Sequence, residues 1–204
     1  MVISTDQELL MVRRADGLEL DLTLIQGLWT SEQYLRLTDS TNRLIELTEG
    51  NIEVLPMPTD YHQTILEFLY LALRAFTQPL GGKVIFAALR LRIRDAKFRE
   101  PAILLLRDAH DPRRQNRYWL GADLVVEVVS EDDPERDTVE KVADYAEAGI
   151  PEYWIVNPLD ATITVLTLDG AAYRAHGVFG RGTQAESLLL AGFSVEVSAV
   201  FDAR

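Results

Sequence analysis

The sequence predicts an α/β (α+β) domain, and three features carry that prediction. Residues 101–107 and 123–130 contain continuous Leu and Val runs of the kind buried on both faces of a sheet. Two segments, opening at Asp60 and at Asp132, repeat apolar residues at helical spacing between start and stop signals. Shorter runs flank Gly50-Asn51 and Asp169-Gly170, pairs that tolerate the positive φ of a tight hairpin. The chain has 204 residues, 48% of them apolar, and no Cys, so it can bury one sizeable core without disulfides.

Residues 1–29 have mixed polarity and no strong period, and they read as an N-terminal extension, an arm or hairpin, to a domain over 30–204. Thr30 and Ser31 followed by Gln33 open a short helix through Tyr34, Leu35 and Leu37, with the character of a capping box. Residues 43–49 and 52–55 pair about Gly50-Asn51 as antiparallel strands. Asp60, with Gln63 three positions on, opens the clearest helix. Ile65, Leu66, Leu69, Ala72, Leu73 and Phe76 form its stripe, and Pro79 and Gly81-Gly82 end it. Residues 83–94, 101–107 and 123–130 are strands, the last two at the centre of the sheet. Asp132-Asp133-Pro134 begins a second helix, acidic at its positive end, with Val139, Val142, Ala143 and Ala146 as its buried stripe and Gly149 as its stop. Residues 153–156 and 162–168 return as strands, and Asp169-Gly170 turns the chain into 171–174. No repeat, low-complexity tract or linker divides the chain.

Apolar stretches such as 102–106 fall far below the ~18–20 residues of a bilayer span. The amino terminus has no charged-then-apolar signal pattern, and a cytoplasmic protein without membrane association is expected. With 20 Lys+Arg against 32 Asp+Glu, the formal charge of −12 opposes nonspecific attraction to phosphate backbones. Residues 83–117 reverse that sign locally, with ten Lys+Arg against four Asp+Glu. There Arg90, Arg92 and Arg94 alternate with Leu89, Leu91 and Ile93, so a strand would carry one apolar and one arginine-lined face. This spacing fits both a solvated edge strand and a face that contacts the phosphates of DNA.

The chain contains no GxSxG, no GxxxxGK[ST], no GxGxxG after a strand and no paired His/Cys spacing for zinc, which removes the usual support for serine-nucleophile and nucleotide-binding readings. His62, His110 and His176 each stand alone in sequence. Glu127 is different, because it sits in the middle of a strand made for burial. An unpaired charge there is costly, so it needs a cation, a partner or a raised pKa. Lys141, off the apolar stripe of the following helix and on the side of Tyr145, either reaches Glu127 or pairs with Asp137 four residues earlier. On spacing alone a structural salt bridge and a functional site stay equally open.

Five segments together resemble the putative restriction endonuclease family within the PD-(D/E)XK nuclease superfamily. They are Glu46-Leu-Thr-Glu-Gly50, His62-Gln63, Arg99-Glu-Pro-Ala102 ahead of a Leu run, Ala122-Asp-Leu-Val-Val-Glu-Val-Val-Ser130, and above all the stretch KVADYAEAGIPEYWIVNP that begins at Lys141. The resemblance runs from about residue 30 to 201 and is most specific over 123–158. It implies a restriction-endonuclease-like mixed β-sheet with flanking helices, and hydrolysis of DNA phosphodiester bonds with Mg²⁺ or Mn²⁺. In such a site two carboxylates on adjacent strands hold the metal, the metal activates a water, and a lysine orients that water or offsets charge. Glu127 matches the second carboxylate. Val129 stands where the motif's lysine would fall, and Lys141 takes over from the following helix. Glu46 and His62 match further polar positions of the same site.

The family's Pro-Asp pair falls at Pro101-Ala102, and Ala102 supplies no oxygen ligand, which implies a metal site weakened or lost. Glu100, on the same strand face but roughly 7 Å away, is one substitute, and Asp123, of the same parity as Glu127, is another. Two classes of function follow. One is a metal-dependent endonuclease that tolerates Ala102, with Glu127 and Glu100 on the metal and Lys141, Glu46 and His62 in catalysis. The other is a catalytically inactive nuclease-fold module that binds DNA or a protein. A plain structural role for Glu127 and Lys141 as a buried ion pair is a third reading and predicts no response to metal. A homodimer would suit cleavage of both strands of a duplex.

Overall fold

The computed structural model describes residues 2–5, 8–12, 17 and 19–204. The chain folds as two compact units, Met1–Met57 with Arg94–Glu100, and Pro58–Ile93 with Pro101–Arg204. In the first unit, β1 (Val2–Thr5), β2 (Glu8–Val12) and β3 (Glu19–Asp21) form an antiparallel sheet in that order. Helix α1 (Ser31–Thr38) has the capping box its sequence predicts: Gln33 N–H donates to Thr30 Oγ1, and Thr30 N–H donates to Gln33 Oε1.

Strands β4 (Ile45–Thr48) and β5 (Asn51–Val54) pair across Glu49 and Gly50, whose φ values are 49° and 76°. Two positive φ values give the turn that matches strand twist, one residue earlier than expected, and Asn51 joins the strand opposite Thr48. Only glycine fits at 50, because a Cβ there would stand 2.5 Å from the Gly27 carbonyl oxygen. The Gly50 carbonyl in turn accepts from the N–H groups of Gly27 and Trp29. Strand β8 (Lys97–Arg99) adds to β4 with Phe98 opposite Leu47. Tyr34 packs on Phe98 and donates its hydroxyl to the Ile45 carbonyl at 2.7 Å.

The second unit is built on a six-stranded sheet ordered β13-β12-β11-β10-β9-β6. Its strands are β6 (Lys83–Phe86), β9 (Ile103–Leu106), β10 (Leu124–Val128), β11 (Glu152–Asn157), β12 (Thr162–Asp169) and β13 (Ala172–Gly180). Strands β10 and β11 run parallel and the other neighbours antiparallel, which makes the sheet mixed. The expected long strand over 83–94 is divided: β6 ends at Phe86, and β7 (Leu91–Arg94) begins after residues 87–90.

Helix α2 (Asp60–Thr77) is capped by Thr59, one residue before Asp60, whose side chain accepts from His62 N–H. Its Ile65, Leu69 and Leu73 cover one face of the sheet, packing with Leu105, Leu124, Val126, Val128 and Trp154. The alternate residues Leu104, Leu106, Val125 and Ile155 fill the other face with Tyr145 and Tyr153. Beyond the hairpin read as far as residue 174, residues 175–204 complete β13 and add the β14 (Gln184–Glu186) and β15 (Ser194–Glu196) pair and helix α4 (Val197–Phe201). Among the described residues no helix is long and apolar enough to cross a membrane.

The second predicted helix shows the largest departure. A π-helical turn, Arg136–Glu140, leads into α3 (Lys141–Glu147). The wider turn breaks the 3.6-residue period on which the Val139, Val142, Ala143 and Ala146 stripe was read. Val139 is 61% exposed and Ala143 is exposed, while Asp137, Lys141, Asp144 and Tyr145 are buried.

Candidate functional site

The buried polar face of α3 has its reason in β10. Glu127 has the parity of Val125, so it points to the α3 side of the sheet. It is 4% exposed, and both of its carboxylate oxygens accept from protein donors. Lys141 Nζ reaches Oε1 at 2.9 Å, the Tyr145 hydroxyl donates to the same oxygen, and the main-chain N–H of Ala102 donates to Oε2 at 3.0 Å. Lys141 Nζ also stands 3.0 Å from Asp137 Oδ1, so the two partners that the sequence offered as alternatives are both taken. Tyr153, on β11, fixes the turn from below by donating to the Asp137 main-chain carbonyl at 2.7 Å. Asp137, Lys141 and Tyr145 are spaced i, i+4, i+8, a signal of one shared face that the apolar periodicity concealed.

Burial raises the Glu127 pKa to about 7, with the Asp137 charge adding to the rise and Lys141 and the Tyr145 hydroxyl opposing it. His62 donates from Nε2 to the Val128 carbonyl at 3.1 Å, and its Nδ1 is buried with no hydrogen-bond partner among the described residues. Burial holds the imidazole pKa below its ordinary value, against the Val128 hydrogen bond and the charge of Asp137.

In the first unit Glu46 is 1% exposed, accepting from Arg99 at 3.2 Å and from the main-chain N–H of Glu100 at 3.0 Å. Asp123, the other substitute oxygen, is held at the far end of β10 by Arg113 at 2.8 Å and by the Arg107 N–H at 2.8 Å. Four residues of strand separate it from Glu127, roughly 13 Å, so it supplies nothing there. Arg94 pairs with Glu49 in the first unit. Arg90 donates to the Arg117 carbonyl at 3.5 Å, and Arg92 N–H donates to the Trp119 carbonyl.

A Mg²⁺ ion does not fit this donor set. Such a site needs carboxylate oxygens from more than one residue, whereas residue 102 is an alanine with no side-chain oxygen, and both Glu127 oxygens already accept from protein donors. An ammonium already bridges the two carboxylates. No group of three His, Cys, Asp or Glu residues among those described is arranged to hold a metal ion.

The mixed sheet with flanking helices matches a solved structure titled as a putative nuclease belonging to DUF820 from Anabaena variabilis ATCC 29413. The TM-score is 0.71 at 18% identity, over 85% of this chain and 97% of that one. Residues 31–198 match Uma2, described as putative restriction endonuclease, and the chain belongs to that family. No curated protein matches the chain.

Proposed function

We propose that this chain is a DNA-directed protein of the restriction endonuclease family whose hydrolytic site is disabled at position 102. It would act as a catalytically inactive nuclease-fold module, an endonuclease by descent. The observation behind this reading is that residue 102, held beside Glu127 by its main-chain N–H, carries a methyl group and no side-chain oxygen. Lys141, between Glu127 and Asp137, supplies from within the chain the positive charge that a divalent ion would supply to two carboxylates. In this reading Glu127, Lys141 and His62 are the family's site residues, without a metal to work on. Glu46 and Glu100 are the supporting acids of the first unit. Residues 30–204 are the nuclease-like domain, and residues 1–29 are its extension. DNA as the partner rests on the family and on the basic character of residues 83–117.

Thermal denaturation with and without millimolar Mg²⁺ or Mn²⁺ tests the metal half of this reading, because a ion that prefers the native state raises Tm. The unaltered chain is expected to show no rise and Ala102→Asp a clear one. A rise in the unaltered chain that Glu127→Gln removes would overturn the reading.

A further inference from the structure

The first unit carries an open groove of about 1010 Å³ beside α1, lined by Trp29, Arg36, Thr41, Asn42, Arg43 and Met57 among others. Two arginines face it and no carboxylate is among its described lining residues, in a chain with 32 acidic side chains against 20 basic ones. Arg36 pairs with Glu32 at 2.9 Å, but both side chains are more than half exposed, the kind of pair that solvent and a competing anion readily exchange. Arg43 has no carboxylate partner among the described residues. Trp29 Nε1 is a buried donor with no hydrogen-bond partner in the described structure. The lining therefore combines cations, hydroxyl and amide groups, an indole and a thioether that is 66% exposed at Met57.

That combination matches one ligand chemistry. Phosphate oxygens take the arginines and the short polar side chains, and an unstacked base takes the aromatic and apolar surface. We propose that this groove seats a single strand of DNA, with backbone phosphates on Arg36 and Arg43 and a base against Trp29 and Met57. This inference rests on the DNA-directed reading above and gives that reading a binding surface distinct from Arg90, Arg92 and Arg94.

The test is fluorescence anisotropy with a labelled oligonucleotide, single-stranded and as a duplex, at several salt concentrations. The unaltered chain is compared with Arg36→Ala/Arg43→Ala and with Arg90→Ala/Arg92→Ala/Arg94→Ala. Loss of both groove arginines is expected to weaken single-strand binding about tenfold or more and to lower the salt slope by about 1.4, roughly 0.7 for each phosphate contact on a single strand. Tryptophan emission is an independent readout, since Trp119 and Trp154 are each 1% exposed and only Trp29 can meet a base. Quenching by the unlabelled strand, absent in Trp29→Phe, supports the groove even where an arginine variant folds poorly. Undiminished binding by the groove variant without quenching overturns the groove and leaves the DNA-directed reading standing. No binding of either oligonucleotide by the unaltered chain overturns both.

Discussion

The main-chain N–H of Ala102 donates to Glu127 Oε2 at 3.0 Å, so the residue just before β9 stands beside that carboxylate with a methyl side chain and no oxygen of its own. With Lys141 and Tyr145 on Oε1, the Glu127 carboxylate has become the centre of a closed internal network.

Lys141 should therefore be a stability residue. Lys141→Met strands the buried carboxylates of Glu127 and Asp137, and removing one partner of a buried ion pair costs about 3–5 kcal/mol. Tyr145→Phe loses one hydrogen bond to a charged acceptor and should cost about 1.5–3 kcal/mol. Urea denaturation checks both, and a Lys141→Met change within a few tenths of a kcal/mol of zero contradicts the network.

The pH dependence of stability separates Glu127 from His62. The Glu127 pKa lies above that of the unfolded chain, so the native state binds its proton more tightly. That contribution is fully present below the ordinary glutamate pKa and is lost as pH rises through about 7. His62, whose pKa is lowered, has the opposite sign: its contribution is present above the ordinary histidine pKa and is lost as pH falls through the depressed value. Melting temperatures from pH 5 to 8 should accordingly fall more steeply for the unaltered chain than for Glu127→Gln. Parallel curves would show that Glu127 does not titrate in this range.

Gly50→Ala should destabilise the first unit. The added Cβ meets the Gly27 carbonyl at 2.5 Å on a residue with φ of 76°, and the hairpin would have to open to admit it. A loss of about 1–3 kcal/mol is expected, in line with strain at a positive-φ site. Hydrogen exchange should show it first in β4 and β5, and unchanged protection there would contradict the account.

Local signals carried much of the fold into the sequence. The Thr30 capping box, the α2 stripe and the Leu and Val runs of β9 and β10 depend on neighbours within one turn or one strand, and each formed as its pattern dictates. Long-range terms decided the rest. The π-helical turn sets its face by what Glu127 needs, so Val139 turns outward and Lys141 inward, against hydrophobic periodicity. The turn at Glu49-Gly50 was displaced by one residue because strand register, and not the Gly50-Asn51 pair alone, fixes which residues take positive φ. The Glu127 and Lys141 pair was legible as an anomaly of charge in a buried strand. The Ala102 N–H was not, since main-chain donors leave no mark in sequence.

The most direct test of the central claim is nicking of supercoiled plasmid with Mg²⁺ or Mn²⁺ by the unaltered chain, Ala102→Asp and Ala102→Asp/Glu127→Ala, each first shown to be folded by its thermal transition. The account predicts no cleavage by the unaltered chain, cleavage by Ala102→Asp, and loss of that cleavage in the double variant. Metal-dependent cleavage by the unaltered chain that Glu127→Ala abolishes would contradict it, and would mean that another oxygen stands in for the one missing at position 102.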